Sequence, residues 1–172
     1  MIKKNHLLLS FAILIYSAFN SLELIQAWKK APFEKHVWIL FLIWLTPLVW
    51  TLGNFRNNVN HTFYNPLFLG IAIFFTFLGV IVSMNALKYI GFAFSLASFV
   101  PMHWAAFPWL ISSVAWMPAL GWMGSRYFPN WVFEIRLFIV LAGVVCWVFF
   151  AWKNSNAEAE RRKGAKGYHS DS

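Results

Sequence analysis

Residues Pro101–Trp122, PMHWAAFPWLISSVAWMPALGW, decide how this chain is read. The stretch is about as long as a bilayer crossing requires, and it holds His103 but no Asp, Glu, Lys or Arg. Pro108 and Pro118 each lack a backbone donor. A soluble core helix tolerates that loss poorly, whereas neighbouring helices and serine hydroxyls re-satisfy the freed carbonyls in a bundle surrounded by lipid. The stretch therefore reads as a kinked span of an all-α membrane protein.

Composition agrees. Of 172 residues, 60% are hydrophobic and 12% charged, too few polar side chains to coat a water-facing sphere of this size. The net charge of +8 is carried by ends and connections: Lys3 and Lys4, then Lys29, Lys30 and Lys35, then Lys153, Arg161, Arg162, Lys163 and Lys166. Basic segments beside apolar spans point to anionic lipid headgroups near the termini. With no separate soluble domain to present a basic face, nucleic acid is not an expected partner. The single cysteine, Cys146, excludes an intramolecular disulfide and a multi-cysteine metal site, and its apolar neighbours predict a buried, inert thiol.

Reading outward from the central stretch, the pattern predicts about six transmembrane spans: Leu7–Ala27, Val37–Gly53, Pro66–Met84, Leu87–Val100, Pro101–Trp122 and Val132–Trp152. Residues 1–153 would form the bundle and 154–172 a basic, polar tail. The alternative is five spans, with the fourth and fifth segments as two halves of a re-entrant pair. Pro66 suits the first position of a helix. Asn54–Asn65 reads as a polar loop, and Gly124–Asn130 as a turn. Trp38, Trp44 and Trp50 recur every six residues, about 120° apart around a helix, which predicts two outer rings and one packed ring. Gly91, Ser95 and Ser98 share a face and predict close helix packing. An even number of spans places both termini on one side, and the distribution of Lys and Arg favours the cytoplasm.

Candidates for chemistry are sparse. Asn20 and Glu23 lie three apart on one predicted helical face, and with His103 they form the candidate ligand-binding set. No two of His6, His36, His61, His103 and His169 have the spacing that places two ligands on one helical face, and no glycine-rich loop opens a helix for phosphate. No catalytic residue, metal or cofactor is expected. Glu134 and Arg136, two apart, point in different directions.

Four features taken in order are similar to the N-terminal membrane half of the exosortase and archaeosortase family: the first loop ending at His36, the Leu- and Gly-rich span after Pro66, the short span that follows, and Phe107-Pro108 leading to Met117-Pro118. The family consists of multi-span transpeptidase-like enzymes that process sorting signals of exported proteins, commonly in bacteria with exopolysaccharide systems. Its catalytic cysteine, arginine and histidine lie on later spans, so the resemblance implies no catalytic residue here. It implies a non-catalytic accessory in a bacterial inner membrane, in contact with other membrane subunits of an envelope or sorting system. A small-molecule carrier using Asn20, Glu23 and His103 is the second reading, and a sorting peptidase the third.

Overall fold

The computed structural model describes the backbone of residues 2–31, 34, 36–54, 65–100 and 106–167, and side chains within 8–53 and 65–153 of those ranges. His103, most of the loop 54–65 and the last five residues lie outside them. Among the described residues the chain is all-α. Its helices are α1 (Ile2–Asn20), α2 (Glu23–Lys30), α3 (Val37–Trp44), α4 (Thr46–Asn54), α5 (Pro66–Ile81), α6 (Asn85–Ala97), α7 (Ala106–Ile111), α8 (Pro118–Tyr127) and α9 (Val132–Gly167), with a 3-10 helix over Ser112–Trp116.

One described helix, Val132–Lys153, is long and apolar enough to cross a membrane. A second qualifies if Leu8–Asn20 and Glu23–Lys30, bent by 41°, count as one span. Val37–Gly53, Pro66–Ile81 and Ala106–Trp116 are apolar but shorter. Six uninterrupted full-length spans are thus not what the helices provide. The physical reason is local: Leu45, Met117 and the Ser21–Leu22 turn interrupt what hydropathy alone joins.

The opening stretch shows this most clearly. From Ala106 onward it is not one helix but three pieces, because Pro118 cannot continue the preceding turn and forces Met117 into an extended conformation (φ −79°, ψ 140°). Pro118 then starts α8 as a first-turn proline, and α8 runs through Gly124 and Ser125, so the turn expected over 124–130 is confined to its second half. Pro66 likewise opens α5, with the Asn65 side chain accepting from Phe68 N at 3.2 Å as the cap.

Two packed groups build the bundle. In the first, α5 and α6 form an antiparallel hairpin against which α1 lies. Gly91 meets Thr76 so closely that a β-carbon there would collide with the Thr76 hydroxyl. Ser95 Oγ lies 2.9 Å from Ser17 Oγ on α1. The small-residue face of α6 therefore packs helices, as its spacing predicts. In the second group α3, α7 and the 3-10 segment pack on α9. A core of tryptophans fills it: Trp44, Trp109 and Trp116 are fully buried, while Trp38 and Trp50 are exposed.

Candidate functional site

Glu34 and Arg136 lie 102 residues apart in sequence and form a fully buried ion pair. Arg136 enters on the second turn of α9, and Glu34 comes from the connection between α2 and α3. The contact is bidentate: Arg136 Nη1 donates to Glu34 Oε2 at 3.0 Å and Nη2 to Oε1 at 2.8 Å. Nη2 also donates to the carbonyl of Met117 at 2.9 Å. That carbonyl belongs to the residue that Pro118 holds extended, so the same proline that breaks the central stretch shapes the pocket for the guanidinium.

Gly121 on α8 completes the enclosure. A β-carbon at this position would collide with both Glu34 Oε1 and Arg136 Nη2. The pair thus joins three elements: the α2–α3 connection, the start of α8 and the start of α9. Burial pushes the Glu34 carboxyl above its ordinary value of 4.5, while the hydrogen bonds and charge of Arg136 pull it back down. Arg136 Nε has no hydrogen-bond partner among the described residues. The paired hydrogen bonds and opposite charge offset part, not all, of the cost of desolvating the Glu34 carboxylate.

Beside the pair lies a second buried polar device. Trp44 Nε1 donates to the carbonyl of Trp109 at 2.9 Å, and Trp109 Nε1 donates to the carbonyl of Trp44 at 2.8 Å. Trp28 on α2 donates to the carbonyl of Trp116 at 3.1 Å. The tryptophans therefore carry interhelical hydrogen bonds as well as apolar area.

The sequence-derived set is placed differently. Asn20 donates its amide to the carbonyl of Tyr16 in its own helix at 2.8 Å, and Glu23 is exposed at the start of α2. The turn at Ser21–Leu22 separates them, so they do not share one continuous helical face. His103 is outside the described residues. His36 is exposed, with its ring edge-on to Phe133 at 6.3 Å. Cys146, expected to be buried, is exposed, because its side of α9 faces away from the other helices. Glu134 and Arg136 do diverge as their spacing requires: Glu134 is exposed and Arg136 buried.

Glu34 lies in the connection that ends at His36, next to Lys35, where the sequence carries no local sign of burial. The available signal was numerical: Glu34 is one of six acidic residues, and Arg136 is the one Lys or Arg within the apolar segment Val132–Trp152, which calls for a partner. Comparison with family models, with curated proteins and with solved structures finds no match for this chain.

Proposed function

We propose that this chain is an integral membrane protein, a polytopic helical bundle of about six apolar segments, that works as a non-catalytic binding subunit of a larger membrane assembly. The observation that carries this reading is an apolar exterior around a core that holds both apolar and polar side chains. Ser17, Thr76, Ser95, Glu34 and Arg136 are buried, while Phe19, Ile81, Ile111 and Phe138 each expose about 70% of their surface or more. Water gives no reason for such an exterior, and a lipid-facing surface requires it. The bent pair α1–α2 and the shorter apolar helices would then be spans or half-spans stabilised by their neighbours.

The subunit role rests on α9. Ile135, Phe138, Ala142, Val145, Phe149 and Trp152 are exposed and follow one another at alternating steps of three and four. That is the repeat with which one helix presents a continuous seam to another. An envelope or sorting system of the kind implied by the family resemblance is the proposed setting, in an inner membrane with both termini cytoplasmic.

The test combines fractionation with site-specific crosslinking in the native cell. The chain is expected to resist alkaline carbonate extraction, and a photoreactive residue at Phe138 or Val145 should give a discrete protein adduct that one at Ile81 does not. Release by carbonate would overturn the membrane reading. Lipid adducts alone at both α9 positions would overturn the subunit reading.

A further inference from the structure

Between Val132 and Lys153, α9 exposes two charges, Glu134 and Lys153, while the third, Arg136, is buried against Glu34. Neither exposed charge has an ion-pair partner among the described residues. Glu134 precedes Phe138 by four residues and Lys153 follows Phe149 by four, so each lies about 40° around the helix from a phenylalanine of the exposed seam. At the helical rise the two charges stand about 28 Å apart, close to the thickness of a hydrocarbon core. One unpaired charge of each sign therefore marks each end of the seam.

The midpoint of these two charges falls between Gly143 and Val144, and the seam is symmetric about the same point. A second α9 turned end over end sets Phe138 against Phe149, Ile135 against Trp152 and Ala142 against Val145, and it sets each Glu134 against a Lys153. Ala142, the smallest of these residues, lies beside the midpoint, where two helices crossing there approach most closely. A parallel pair would instead oppose Glu134 to Glu134 and Lys153 to Lys153, like charges at both ends. Opposed helix dipoles favour the antiparallel arrangement as well.

Resting on the membrane and subunit readings above, we propose that the partner of the α9 seam is a second copy of this chain, paired antiparallel and inserted in the bilayer in the opposite orientation. The relation is twofold, so one surface serves both partners. A copy with cytoplasmic termini is one half of the pair. The cations permit the other half: on the six-segment reading eight of the 14 Lys and Arg fall on the side of the termini and six on the opposite side, a weak bias.

The test uses the full-length chain with Cys146→Ser, expressed in its native membrane in two differently tagged forms, one carrying Phe138→Cys and the other Phe149→Cys, and then oxidised. A mixed disulfide dimer is expected. Neither form should crosslink to itself, because like positions lie about 16 Å apart along an antiparallel pair. Self-crosslinking of the Phe138→Cys form would mean a parallel pair and overturn the proposal, as would the absence of the mixed dimer. Glu134→Lys and Lys153→Glu should each lower the mixed-dimer yield about fivefold, and the two combined should restore it; an unrestored yield counts against the charge pairing that selects the second copy. Protease applied to either face of the membrane should remove a C-terminal tag from a substantial share of the copies, and cleavage from one face alone would also overturn the pairing. All four substituted residues are exposed, so these variants leave the packed core untouched. A carbonate-resistant chain whose photoreactive residue at Phe138 captures a different protein sinks this pairing alone and leaves the membrane and subunit readings intact.

Discussion

Trp44 and Trp109 are each other's hydrogen-bond partner twice over. Their rings stack at 4.7 Å and 15°, and each indole N–H reaches the other's backbone carbonyl. Both tryptophans stand at helix interruptions: Trp44 ends α3, and Trp109 lies in the short α7 that gives way to the 3-10 segment. The breaks are thereby joined to each other, and Trp116 closes the cluster edge-on to Trp44 at 5.5 Å.

The first prediction concerns this reciprocity. Trp44→Ala and Trp109→Ala should each lower stability by about 3–5 kcal/mol. Because both remove the same stacked, doubly bonded contact, the double variant should fall short of the sum by at least about 1 kcal/mol. Equilibrium unfolding of the detergent-solubilised chain measures both; strict additivity would mean that the two rings act independently.

Breaking the buried ion pair should be among the most damaging changes. Glu34→Ala strands a buried guanidinium and is expected to cost about 3–5 kcal/mol, as is Arg136→Met, which strands the carboxylate. Combining Glu34→Leu with Arg136→Met removes both charges and should recover much of that loss. Single variants within 0.5 kcal/mol of wild type, a threshold typical of surface sites, would show the pair to be dispensable.

Acid–base behaviour follows from the direction of the Glu34 shift. Its carboxyl titrates above the ordinary 4.5 in the folded chain because burial outweighs Arg136. A folded-state value above the unfolded one means that this group's contribution is fully present below pH 4.5 and is lost as pH rises through the raised value. The wild-type stability profile should therefore decline over that window relative to Glu34→Gln, measured in parallel so that other groups cancel. A flat difference between the two profiles would refute the shift.

Gly121 provides a steric check on the same site. Gly121→Ala introduces a methyl group against Glu34 Oε1 and Arg136 Nη2 and should destabilise by about 1–3 kcal/mol. In the Glu34→Ala background that penalty should fall but not vanish, since one of the two obstructing side chains is gone and Arg136 remains. An undiminished penalty in that background would place the clash elsewhere.

The α5–α6 turn offers a change in the opposite direction. Ser83 has φ 57°, and Met84 N donates to Gly79 O at 2.9 Å, the long bond of a helix-ending turn that favours glycine. Ser83→Gly should raise stability by about 1 kcal/mol, and Ser83→Val should lower it. Thermal unfolding of the three proteins ranks them; any other order counts against left-handed strain at this residue.

Much of the architecture was legible in residue order. Pro66 announced the start of α5, the six-residue spacing of Trp38, Trp44 and Trp50 announced one packed ring between two exposed ones, and the Gly91–Ser95–Ser98 face announced its helix contacts. These signals are local, since each is set by helical geometry within a few turns. The candidate site was not legible in the same way. Asn20 and Glu23 were grouped on a continuous helix, and the chain instead turns at Ser21–Leu22 between them.

Sequence by itself determined the all-α class, the apolar character of the segments and the positions where prolines interrupt them, because composition and backbone chemistry act locally. Tertiary structure alone decided which of those interruptions matter. Pro118 holds Met117 extended, Gly121 leaves room beside the pair, and a guanidinium 19 residues from Met117 meets a carboxylate 102 residues away. Neither spacing nor hydropathy encodes that meeting. It arises because a buried charge must find its opposite, and only the packed bundle determines which one lies within reach.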